Sequence, residues 1–62
     1  MKNMTNEELF EAILMNDDEM NEALATGDKN AEVEARGEFE DLWAELSSRH
    51  LEAEFEAYSK NL

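Results

Sequence analysis

The chain has 62 residues with no cysteine and no proline, and its seventeen Asp and Glu against five Lys and Arg give a formal net charge of −12. That composition excludes a disulfide framework and a thiolate metal site, and like-charge repulsion disfavours direct contact with DNA, RNA or an anionic membrane. A chain this short forms one domain at most and buries only ~60% of the surface its unfolded form exposes, so oligomerisation is the support left open.

Residues 1–4 read as a loose end. Thr5 then carries a helix-start signal, because its hydroxyl can accept from the Glu8 amide while the Glu8 carboxylate reaches back to the Thr5 amide, a capping box. Met4 and Leu9 are spaced for a hydrophobic staple across the same start. A first helix is predicted over 6–15, with Leu9, Phe10, Ile13 and Leu14 on one buried face and Glu7, Glu8 and Glu11 opposite. Asn16 with Glu19, and Met15 with Met20, repeat the cap and staple, which predicts a second helix over 17–26. Its apolar face is thin, and Gly27 is placed as its left-handed stop.

After a turn at 26–28, capped by Asp28 or Asn30, the chain reads as one long acidic helix over 29–60. At 100° per residue, Ala35, Leu42, Trp43, Leu46, His50, Ala53 and Ala57 fall within roughly 60° of Phe39. Leu51, Phe55, Tyr58 and Leu62 fall on a second stripe rotated by roughly 130°. Two stripes on one helix imply either a kink near Ser47 and Ser48, with Ser48 capping a new helix, or a second stripe that meets another chain. Gly37 inside this helix costs about 1 kcal/mol relative to alanine, which close helix approach or a bend would justify. The predicted fold is all-α: two short N-terminal helices and one long C-terminal helix, kinked in the variant reading.

The residues point away from catalysis. Residues 16–22 are rich in Asp, Glu and Asn but lack the central glycine and twelve-residue spacing of a calcium loop. His50 with Glu54 lacks the further carboxylates of a ferritin-like metal site, and Ser47 stands where its Glu-x-x-His motif needs glutamate. No phosphate loop or nucleophile triad is present in the sequence. The expectation is a non-enzyme with no cofactor and no metal. The longest apolar run, 12–15, is far short of the ~20 residues that span a bilayer, and no secretory signal is legible, which points to a soluble, cytoplasmic protein.

Phe39 and Trp43 are expected to fasten the long helix to the first one. Leu51, Phe55, Tyr58 and Leu62 are expected to lie beyond the reach of the short helices and to serve self-association, most simply in a homodimer. Along the long helix only Glu45 with Arg49 and Glu56 with Lys60 are clear ion pairs in the favourable order, so most carboxylates are left over. A helix rises ~1.5 Å per residue while duplex DNA carries a charge every ~1.7 Å, so an acidic helix can approach that charge density.

In size, acidity and helical makeup the chain resembles the small DNA-mimic inhibitors that bacteriophages and mobile elements use against restriction, CRISPR, repair or transcription machinery. The likeness is one of overall character and carries no motif. It implies a basic partner, a nucleic-acid-handling enzyme or complex, met by Glu38, Asp41, Glu45, Glu52 and Glu56 for charge and by Phe55 and Tyr58 for register. The alternative is a helical self-association or small-subunit assembly module built on the C-terminal aromatic stripe.

Overall fold

The computed structural model describes residues 3–61. Three helices follow one another: α1 Asn6–Thr26, α2 Lys29–Ser48 and α3 Glu52–Lys60. Chain order therefore corrects the expectation of two short helices followed by one long one. Met1 and Lys2 of the expected loose end, and Leu62 of the second apolar stripe, lie outside the described residues.

α1 starts as the sequence predicts. Thr5 is extended, its hydroxyl accepts from the Glu8 amide at 3.1 Å, and its own amide donates to Glu8 Oε1 at 2.8 Å. The Thr5 amide, then the Thr5 hydroxyl, hold the Glu8 carboxyl below the ordinary glutamate value. A depressed value means that this contribution is present above the unfolded pKa and is lost as pH falls through the folded one.

The helix then runs straight through Asn16, where a new start was expected. A cap needs its side chain for an amide three residues on. Asn16 instead is 2% exposed and its Nδ2 donates to the Ala35 carbonyl of α2 at 2.9 Å. Continuing the ladder also avoids stranding the unpaired amides and carbonyls that two helix ends would expose in mid-hairpin. Met15, expected to staple, is 63% exposed in mid-helix.

Gly27 closes α1 at φ 75°, and Asp28 donates back to the Ala23 carbonyl while its carboxylate caps α2 by accepting from Ala31. Two residues thus end one helix and begin the next, and α1 and α2 lie antiparallel as a hairpin. Its far end is tied by Arg49, which donates to Asn6 Oδ1 at 3.0 Å and pairs with Glu45 at 2.7 Å. Leu9, Phe10 and Ile13 pack between the helices against Leu42 and Leu46, with Leu9 and Leu46 fully buried. Each such side chain contributes about 1.5–3 kcal/mol relative to exposure.

The predicted long helix stops at Ser48, and Ser48 is its last residue rather than the cap of a new one. The amide of His50 donates to Ser47 and that of Leu51 to Leu46, the paired bonds of a Schellman stop. His50 takes the left-handed position at φ 58° and is exposed. Leu51 then turns in under the core. The break resolves the two-stripe geometry: a straight helix could lay only one stripe on α1, whereas the turn brings the second one back over the hairpin's open end.

There Phe10 of α1 meets Phe55 at 5.6 Å and Tyr58 at 5.1 Å between ring centroids. The turn at His50 supplies the reach, because it folds α3 back onto the first turns of α1. Trp43 is not core: it is 37% exposed, stacked on Phe39 at 5.6 Å and edge-on to Phe55 at 6.1 Å, so it joins α2 to α3 rather than to α1.

Two glycine-related predictions follow from this backbone. A non-glycine residue in the left-handed region costs about 1–2 kcal/mol, so His50→Gly should raise the thermal midpoint by roughly 4–8 °C per kcal/mol recovered. A β-carbon at Gly37 would meet nothing within 4 Å, so close helix approach is not why it is glycine. Gly37→Ala should therefore stabilise α2 by about 1 kcal/mol. Circular-dichroism melts check both, and a midpoint lowered by either change would contradict the corresponding account.

Candidate partner-binding surface

Because α1 continues past Asn16, its second half lies beside the first half of α2 and carboxylates of both helices converge. Near the turn, Glu19 and Glu22 of α1, Glu34 and Glu38 of α2, and Asp28 rim a groove of about 290 Å³ floored by small residues such as Ala23, Ala31 and Ala35. Ala23 and Ala35 are buried, and their size lets the helices approach. Further along, Glu19 and Glu38 also border a second groove of about 300 Å³ with Ala12, Met15, Asn16 and Leu42.

The ion pairs among the described residues are Glu32 with Arg36 at 3.1 Å, Glu45 with Arg49 at 2.7 Å and Glu56 with Lys60 at 3.1 Å. The last two are the pairs the sequence predicts. None of the five groove carboxylates takes part in one. Exposed pairs at this spacing contribute only ~0.3–0.5 kcal/mol each.

The residues expected to carry charge are thus distributed unequally. Glu38 stands on the groove rim, exposed and outside the ion pairs of the described residues; Asp41 is exposed one turn on. Glu45 is half-buried against Arg49, so part of its charge is already compensated. Glu52 is exposed in the first turn of α3, where it complements the helix dipole, and Glu56 is exposed beside Lys60. Phe55 and Tyr58 are half-buried on Phe10, as Leu51 is on the core, so each keeps a partial outward surface. His50 and Glu54 are both exposed, and no group of three or more His, Cys, Asp or Glu among the described residues is placed to hold a metal ion.

Glu19, Glu22, Asp28 and Glu34 belong to the acidic face but are not among the partner-binding residues expected from the sequence, in which Glu19 and Asp28 read as parts of helix caps; the burial of Asn16 is not expected there either. The signal was present: Leu9, Ile13, Asn16, Met20 and Ala23 alternate steps of four and three, one unbroken stripe.

Comparison with known proteins finds no matching family model, no matching curated protein and no matching solved structure. No helix among the described residues is long and apolar enough to cross a membrane.

Proposed function

We propose that this protein is a non-enzymatic, cytoplasmic binder that occupies a basic nucleic-acid-binding surface on a partner protein, acting as a phage-type nucleic-acid-mimic inhibitor. One observation carries the reading: the hairpin fixes Glu19, Glu22, Asp28, Glu34 and Glu38 around one groove, and among the described residues no cation pairs with any of them. Self-repulsion at that density destabilises the fold, and a basic partner would relieve it.

Dimensions support it. The molecule is 33 × 25 × 15 Å, so its long axis is close to the ~34–36 Å of one duplex turn. A formal −12 along 33 Å is roughly one net charge per 3 Å, against ~1.7 Å for duplex DNA. The mimic would be the weaker polyelectrolyte and would rely on fixed geometry to compete.

The test is capture from lysate with the tagged protein, eluted first by rising salt and then by a short DNA duplex. Recovery of a basic nucleic-acid enzyme released by both is the expected result. A partner that resists salt and ignores duplex would sink the mimic reading.

A second reading, self-association as a homodimer or docking as a small subunit, is favoured by the partial exposure of Leu51, Phe55 and Tyr58. An apolar interface of that kind should survive salt that dissolves an electrostatic one.

A further inference from the structure

Asn16 is the buried polar side chain of the hairpin interface, and only half of its amide is used. Nδ2 donates to the Ala35 carbonyl, but Oδ1 has no hydrogen-bond partner among the described residues. Leaving a buried acceptor unpaired costs roughly 1–3 kcal/mol, and folded proteins rarely tolerate it without water or a ligand to complete it. An aliphatic residue here would continue the stripe of Leu9 and Ile13 at no such cost.

Asn16 also lines the second groove, whose other walls are Ala12, Met15, Leu42, Glu19 and Glu38. These walls divide by chemistry. Three are apolar, two are carboxylates on opposite helices that form no ion pair among the described residues, and the residue between them carries a buried amide oxygen without a donor.

We infer that this groove receives an arginine side chain of the basic partner. The arginine methylenes lie on Ala12, Met15 and Leu42, and its guanidinium donates to the Glu19 and Glu38 carboxylates and to Asn16 Oδ1. The inference rests on the proposed function in requiring a basic partner. A volume of about 300 Å³ is at the small end for ligand sites, which suits a side chain better than a larger molecule. A planar fork of five donors matches three separated acceptors and sheds water more readily than an ammonium group. A second copy of this chain, with its −12 charge, is disfavoured by repulsion. The amide oxygen lies beneath the surface, and Met15, unbranched and 63% exposed, is the lining side chain free to swing aside.

The test titrates the isotopically labelled full chain with N-acetyl-arginine methylamide, followed by nuclear magnetic resonance, beside the neutral isostere N-acetyl-citrulline methylamide. Saturable shifts of the Asn16 side-chain amide and the Met15 methyl are expected with arginine, and at least about tenfold weaker binding with citrulline. The double variant Glu19→Gln/Glu38→Gln alters exposed groups outside the ion pairs of the described residues and should fold as the parent does, yet weaken arginine binding roughly fivefold. Equal shifts with citrulline, or unsaturated shifts spread over all acidic positions, would overturn the inference. If arginine binds here while lysate capture yields no basic protein, the groove chemistry stands and the mimic reading fails. If a duplex-displaceable partner is captured and the double variant weakens neither it nor arginine, the mimic reading stands and the groove does not.

Discussion

Phe10→Ala is expected to cost about 3–5 kcal/mol, the range for removing a buried phenylalanine. At ~0.05–0.15 kcal/mol per residue, a chain of this length has only ~3–9 kcal/mol to lose, so the variant should be partly or wholly unfolded in dilute buffer at 25 °C. The reason lies in where Phe10 sits. It is 7% exposed, belongs to the hairpin core with Leu42 and Leu46, and also carries Phe55 and Tyr58 of α3 on its ring. Truncation therefore opens a cavity between α1 and α2 and removes the seat of α3. Phe55→Ala should cost roughly 1–2 kcal/mol, because Phe55 is half-buried and the hairpin core survives its loss. Urea unfolding followed by circular dichroism measures both. Equal losses for the two variants would mean that Phe10 serves α3 alone and that the hairpin is held by its leucines.

Reversing Glu38, Asp41 and Glu52 to lysine together should weaken binding to the captured partner about a hundredfold or more, since each change replaces attraction by like-charge repulsion. The fold should persist. All three residues are exposed and none is in an ion pair among the described residues. Glu52→Lys removes a favourable charge at the start of α3, worth ~0.3–1 kcal/mol, while the lower net charge relieves self-repulsion. Calorimetric titration gives the affinity and a melt gives the stability. Binding at parental strength by a folded triple variant would show that these carboxylates serve solubility and that contact is made elsewhere.

Helix content and three of the termini were legible in the sequence because they depend on neighbours. The Thr5 box, the Gly27 stop and the Asp28 cap each need residues within five positions. What misled was local as well. Asn16 with Glu19 has the form of a cap, and only the hydrogen bond to Ala35, nineteen residues on, takes the side chain from that use. At Ser47–His50 the reverse holds: neither serine breaks the helix, and a histidine, more tolerant of φ 58° than most residues but still strained there, does so because Leu51, Phe55 and Tyr58 gain the core by it. Of the candidate surface, the acidity was plain from composition, but the convergence of Glu19 and Glu22 with Glu34 and Glu38 requires the hairpin register. The half-used amide of Asn16 could not be seen without both helices in place.

Trp43 is the chain's single tryptophan, and its indole lies against one ring from its own helix and one from α3. The protein thereby carries an internal optical gauge. α3 has nine residues, no side-chain bond at its N-terminal cap and no fully buried residue of its own, which makes it the first element to leave. Its departure would wet one edge of the indole while Phe39 still covers a face, giving an emission intermediate between native and unfolded. Fluorescence, read against helicity during the same titration, would thus separate undocking of the latch from melting of the hairpin without any added label.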